Sequence, residues 1–141
     1  MALLDLINEK PKKADEQRIY QAHPRLYRRA LAPEGERGCM AWGLSIGDGW
    51  MPLMAGLSAE IERILIAHKV PEGLWPAFEQ VKEKFGELRI YLSWPEEMQG
   101  AEARELPVRR EIRQAANTAV ELSRTICEKC GAPGKLIQEG W

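Results

Sequence analysis

The spacing of apolar residues changes several times along the chain, and each change predicts an element. Leu3, Leu4, Leu6 and Ile7 suit a short helix docking on the body, which Glu9-Lys10-Pro11-Lys12-Lys13 breaks. His23-Pro24-Arg25-Leu26-Tyr27-Arg28-Arg29-Ala30-Leu31 predicts a short amphipathic helix with Pro24 in its first turn and Leu26, Ala30 and Leu31 inward. Trp42, Leu44 and Ile46 alternate like a strand running into Gly47-Asp48-Gly49, a turn signal because glycine takes positive φ without steric cost. From Trp50 onward the period becomes helical. Leu53, Leu57, Ile61, Ile64, Leu65 and His68 share a face, with Ser58 placed to cap a helix restarting after Gly56, and Val70-Pro71-Glu72-Gly73 closes it.

Leu88, Ile90 and Leu92 alternate with Arg89, Tyr91 and Ser93, a strand pattern, and Gly86 marks the hairpin turn before it. Phe78, Val81 and Phe85 fit the first arm of that hairpin and would also suit a helix. Trp94-Pro95-Glu96-Glu97-Met98-Gln99-Gly100 leaves the sheet for an acidic loop. Pro107 then opens the clearest helix: Val108, Ile112, Ala115, Ala119, Leu122 and Ile126 form one apolar face that runs straight into Cys127. These elements predict an α+β fold, a small antiparallel sheet or hairpin packed against two main helices, ending in a half zinc-ribbon-like knuckle. One domain is expected, with 1–35 as a peripheral helical arm, 36–126 as the α+β core and 127–141 as knuckle and terminal hairpin.

Bulk composition narrows the function classes. The chain has 141 residues, a common size for one domain, with 20 basic and 21 acidic side chains. Dedicated DNA binders carry a basic excess, because phosphate neutralisation supplies much of their affinity, and this chain has none overall. No apolar run approaches the roughly 18–20 residues that span a bilayer, so no membrane partner is expected. Asp5 interrupts the first apolar stretch and no basic residues precede it, which does not match a signal peptide. Three cysteines without an export signal read as thiols of a reducing cytosol.

Two of those cysteines carry the chemical signature. Cys127-Glu128-Lys129-Cys130-Gly131-Ala132-Pro133-Gly134 has the C-x-x-C-G spacing of a zinc knuckle, in which a tight turn aims both thiolates at one metal and the glycine lets backbone N–H groups approach the second sulfur. A structural zinc takes four ligands, and two are visible locally. Three readings stand. Cys39, His23 and His68 could complete a Cys3His site; the knuckle could fold with its thiols free; or the pair could act in redox chemistry or bind metal with a partner chain. A redox pair belongs at a helix start, where the macrodipole lowers the thiol pKa, whereas this pair follows a helix end, where the dipole would raise it. No resident cofactor is expected, zinc being the metal this pair would take.

Other candidates are weaker. Asp48 between two glycines suits an Asx-type turn, a metal ligand, or a general base working with His68. Lys82, Lys84, Arg89 and Tyr91 on the hairpin, with Trp94 beyond, form a basic and aromatic face, although Glu79, Glu83 and Glu87 are interleaved. Arg25, Arg28 and Arg29 with Arg109, Arg110 and Arg113 suggest a second patch on helices, and arginine beside aromatics is the composition of protein-interface hot spots. No Ser-His-Asp order, P-loop, dinucleotide fingerprint or H-E-x-x-H is present, so no catalytic residues are expected.

Gly47-Asp48-Gly49-Trp50, then Val81-Lys82-Glu83-Lys84-Phe85-Gly86-Glu87-Leu88-Arg89-Ile90-Tyr91, then Ser123, Cys127-Glu128-Lys129-Cys130-Gly131-Ala132-Pro133-Gly134 and Gly140-Trp141 together resemble a group of small uncharacterised bacteriophage and prophage proteins. The resemblance covers roughly residues 42–141. In such proteins the Gly-Trp segment continues into a further cysteine and a cysteine or histidine that complete a zinc ribbon, whereas here the sequence stops at Trp141. The resemblance implies a phage-type origin in a bacterial cytoplasm and no established activity. The expectation is a non-enzymatic accessory protein that binds a host or phage protein, for example as an inhibitor of host defence. The alternative is a nucleic-acid-binding regulator using the ribbon-like element.

Overall fold

The structure is a computed structural model that describes residues 15–134, so the helix expected around Leu3–Ile7 and the hairpin expected over Lys135–Trp141 lie outside the described residues. The fold is α+β, with helices α1 (Asp15–Ala22), α2 (Met51–Ala67), α3 (Ala101–Arg104) and α4 (Pro107–Ser123) and strands β1 (Leu44–Ser45), β2 (Ala77–Lys84) and β3 (Glu87–Ser93). Among the described residues no helix is long and apolar enough to cross a membrane. Short 3-10 turns at Gly38–Trp42, Asp48–Trp50, Glu72–Leu74 and Glu96–Met98 connect them.

The sheet is mixed rather than antiparallel. Its order is β1-β2-β3: β2 and β3 form the expected antiparallel hairpin, but β1 runs parallel to β2, with Leu44 opposite Val81. A parallel pair needs a crossover, and α2 supplies it. β1 is only two residues long because Gly43, at φ +67°, turns the chain, and Trp42 falls in the preceding 3-10 turn with its side chain 80% exposed.

The periodicity of α2 and α4 is borne out, with two differences. Helix α2 runs unbroken through Gly56, so Ser58 is no cap. Its hydroxyl is buried, donates to Met54 O at 2.7 Å and shares a second hydrogen bond, also 2.7 Å, with the Tyr27 hydroxyl. Helix α4 ends at Ser123 instead of reaching Cys127. There the Ser123 hydroxyl donates back to Val120 O and accepts the Leu88 N–H at 3.1 Å, tying the helix end to β3.

The described part of the stretch expected as a peripheral arm, from Asp15 on, contributes to the core. Ile19, Tyr20, Leu26 and Tyr27 belong to the same buried cluster as Trp50, Leu57, Ile61 and Phe78. Helix α1 was not legible because its apolar pair is too short to show a period. Residues 23–31 form successive turns, not the expected helix, and Leu31 is exposed. The carbonyls a helix would need are taken elsewhere: Arg25 O accepts from the Arg28 guanidinium, and Leu26 O accepts the Phe78 N–H at the start of β2. Tyr27 lies stacked on Phe78 with ring centroids 4.7 Å apart. Burial pushes its phenol far above the ordinary range, so it stays neutral. The acidic connection after Trp94 also carries structure, the 3-10 turn at Glu96–Met98 and the single-turn helix α3.

The hairpin turn is a two-residue loop with both central residues left-handed, Phe85 at φ +56° and Gly86 at φ +75°. That geometry matches strand twist and favours Asn-Gly, so a phenylalanine at its first position is strained. Replacing Phe85 by Asn is expected to stabilise the fold by about 0.5–1 kcal/mol, the relief of the left-handed residue less the lost contact with Lys84. Chemical denaturation of the F85N variant checks this, and an unchanged or lowered midpoint would contradict the strain.

Candidate functional site

The knuckle begins three residues beyond α4. Ile126 pairs antiparallel with Pro133, and the rungs Cys127 N–H to Ala132 O at 2.7 Å and Gly134 N–H to Thr125 O at 2.8 Å close it. Gly131, at φ +78°, turns the chain so that its N–H reaches Cys127 O at 2.8 Å. The glycine therefore serves the turn itself. The main-chain groups that act on the Cys127 thiol are those of Cys130 and Lys129. Hydrogen bonding from these two groups, with smaller help from the Cys130 thiol and the Lys129 charge, holds the Cys127 thiol below its usual range. The direction is opposite to the upward push expected of the helix dipole, and α4 ends at Ser123, before the last turn could reach Cys127. Cys127 is half-buried and Cys130 exposed, and neither is in a disulfide.

The Gly47-Asp48-Gly49-Trp50 segment packs directly against this knuckle. Gly49 N–H donates to Glu128 O at 2.6 Å, Gly47 N–H donates to the Glu128 carboxylate at 2.8 Å, and the Trp50 indole N–H donates to Ile126 O at 2.9 Å. Trp50 itself is only 2% exposed. Neither Gly47 nor Gly49 has positive φ. They are glycines because a Cβ at Gly49 would sit 2.1 Å from Cys127 O, and one at Gly47 would sit 2.4 Å from Glu128 O. Close approach, not turn geometry, sets these positions. Asp48 is the first residue of the 3-10 turn there, with Gly47 at its N-cap.

The remaining soft side chains stand apart. Among the described residues, no group of three or more Cys, His, Asp or Glu could hold a metal, so Cys39, His23 and His68 do not complete a site with the knuckle. His23 Nδ1 pairs with Glu62 at 2.6 Å, and His68 Nε2 pairs with Glu111. Asp48 precedes α2 and His68 follows it, so the 17-residue helix separates them by about 25 Å. They share no cleft. The groove between α2 and α4, about 330 Å³, is lined by the Glu60–Arg63 ion pair, Glu111, Gln114 and Thr118.

The hairpin sorts its charges by register. Lys82 faces Arg89, Lys84 faces Glu87, and Gln80 faces Tyr91, so all six share the outer face, while Glu83 falls on the other face opposite Leu88. Between the bulge at Phe78/Gln80 and the hairpin tip, Glu87 is the one carboxylate on that outer face, and it is shared with Arg89 at 3.7 Å and Arg124 at 2.6 Å. Lys82 Nζ lies 5.8 Å from the centre of the exposed Tyr91 ring. At the tip, Phe85 is 74% exposed, with Lys84 Nζ 5.5 Å from its ring.

Most of the helical arginines are bonded to the main chain. Arg109 stacks 4.7 Å over the ring of Trp94, which is itself buried at 8% exposure, and donates to Met98 O at 2.8 Å. Trp94 and Arg109 therefore fasten α4 to the connection after β3. Arg28 donates to the carbonyls of Trp75 and Pro76, Arg25 to Glu72 O, and Arg29 to Ser93. Arg113 donates to Arg104 O, and Arg110 is exposed.

Comparisons with protein-family models, curated proteins and solved structures find no match to this chain. Phe85 and the Gly-Gly contact with the knuckle were the features sequence patterns did not single out. A lone aromatic beside the hairpin glycine was the available signal for the first.

Gly49→Ala is expected to cost about 3 kcal/mol, because backbone on both sides must separate. Gly73→Ala, with nothing within 4 Å, is the tolerated control. Thermal melts of both variants check this. For Cys127 the sign is simple: a lowered pKa keeps the thiolate populated to lower pH, so in a C39S/C130S background its alkylation rate should titrate with a midpoint below the ordinary thiol value of about 8.5. Rate against pH with iodoacetamide measures it, and a midpoint at or above that value would refute the main-chain hydrogen bonds to the thiol.

Proposed function

We propose that this chain is a non-enzymatic accessory protein of phage or prophage type that works in the cytoplasm of a bacterial host by binding another protein. The outer face of the β2–β3 hairpin is its contact surface. One observation carries the reading: register gathers Lys82, Lys84, Arg89 and Tyr91 on one face, and a strained turn holds Phe85 exposed at its tip. Strain kept at an exposed aromatic is the pattern of a residue retained for contact rather than stability. A basic, aromatic surface of this kind fits an acidic protein surface, with the aromatic side chains as anchors and the lysines steering the encounter. Inhibition of a host defence protein is the role that suits a small binder of this origin, and the resemblance of the GDGW, VKEKFG and CxxCG segments supports that origin.

Nucleic-acid binding is the second reading, favoured by the pairing of Lys82 with Tyr91 on an open strand face, where a base could stack and a phosphate be neutralised. Salt separates the two. Affinity capture from a bacterial host lysate is expected to recover a specific acidic protein that survives nuclease treatment. The triple variant Lys82→Glu, Lys84→Glu, Phe85→Ala should lose it at least tenfold while melting normally. No specific protein, or a bound nucleic acid whose affinity falls steeply with salt, would replace this reading with the second.

A further inference from the structure

We propose that the cleft beside the Gly38–Trp42 turn is a binding site for a nucleoside monophosphate, with Trp42 stacking the base and Arg37 holding the phosphate. The cleft measures about 340 Å³, within the range of small-ligand sites, and is walled by α1 and by this 3-10 turn. Its lining includes Glu16, Tyr20, Leu31, Arg37, Trp42 and Gly43. None of the hairpin residues Lys82, Lys84, Phe85, Arg89 or Tyr91 lines it. A ligand site here goes beyond the protein-binding reading, and either can fail without the other.

Two side chains of the cleft are left open to a ligand. Trp42 is 80% exposed, although folding buries most of the surface of an average tryptophan. Arg37 is half-buried, and among the described residues it makes one hydrogen bond, from Nε to Ala32 O at 2.6 Å, and no ion pair. That bond fixes the guanidinium and leaves its two terminal nitrogens, an edge that grips a phosphate through two parallel bonds. Arg37 caps the start of the 3-10 turn and Trp42 closes it, so at about 2.0 Å per residue their backbones stand roughly 10 Å apart. A base, a sugar and a phosphate in line fill such a span. The wall from α1 is fixed too. Glu16 Oε1 accepts the Tyr20 hydroxyl at 2.8 Å and the Leu44 N–H at 2.7 Å, which leaves Oε2 as an acceptor. Gly43 brings the turn hard against this carboxylate, since a Cβ there would sit 2.4 Å from Glu16 Oε1. A carboxylate accepts from sugar hydroxyls and repels phosphate, so it orients the ligand with its phosphate towards Arg37. A simple anion would leave the exposed ring unused, and an apolar ligand would leave the guanidinium unpaired.

The test titrates the full chain with AMP, GMP, CMP and UMP in turn, followed by calorimetry and by tryptophan fluorescence. Expected is saturable binding of at least one of them with Kd below about 1 mM, and quenched emission as the base stacks. The corresponding nucleoside, which lacks the phosphate, should bind at least tenfold more weakly. Trp42→Ala, at a position already exposed, should melt like the parent chain yet lose affinity at least tenfold. Arg37→Gln should lose at least tenfold, and Arg37→Lys, which keeps the charge, should recover part of that loss. Lys82→Glu with Lys84→Glu should leave nucleotide binding unchanged. No saturable binding by any of the four, inorganic phosphate alone binding as tightly as the nucleotide, full affinity in the Trp42→Ala variant, or loss of binding in the hairpin variant would each overturn the proposal.

Discussion

The indole of Trp50 holds the two chemically distinctive segments of this protein together. Its ring is among the largest fully buried side chains, and its N–H reaches the carbonyl that begins the cysteine knuckle. A buried tryptophan that lacked this partner would leave a donor unsatisfied, so the position of the knuckle and the filling of the core are one constraint. The two glycines on either side of Asp48 follow from it. With the indole in place, the chain before it passes so near the carbonyls of Cys127 and Glu128 that no side chain fits. The knuckle is thus seated on the body by backbone contacts from a segment some eighty residues away, and is no appendage.

A second consequence concerns the arginines. In a chain with near-equal numbers of acidic and basic residues, a cluster of guanidinium groups suggests a binding surface. Here most of them satisfy main-chain carbonyls in the turns around the sheet: Arg28 at Trp75 and Pro76, Arg25 at Glu72, Arg109 at Met98. Such bonds are charge-assisted and join loops that lack a ladder of their own. The hairpin lysines differ. They lie on a sheet face whose opposite side is core, and the period of two that buries Leu88 turns Lys82, Lys84 and Tyr91 outward together.

Several elements were legible from pattern alone. The apolar steps of Val108, Ile112 and Ala119 and the alternation of Leu88, Ile90 and Leu92 each gave the right element, because period and face are local properties of the backbone. The turn at Gly86 was legible for the same reason. What escaped was non-local. Helix α1 and the turns over 23–31 are shaped by carbonyls taken from across the fold, including Leu26 O by Phe78. The parallel placement of β1 depends on where α2 returns the chain, which no window of residues around Leu44 contains.

Of the candidate site, the sequence by itself determined the cysteine spacing, the glycine that follows it and the run of alternating charge on the hairpin. Tertiary structure alone decided which charges share a face, since a single bulge in β2 sets the register for every pair beyond it. It alone decided that Trp94 and Arg109 serve packing, that both histidines are paired, and that the glycines before Trp50 answer to the knuckle rather than to their own turn. The division has one physical cause. Spacing along a chain specifies how a segment folds on itself, while close approach and charge pairing belong to segments that meet only after folding.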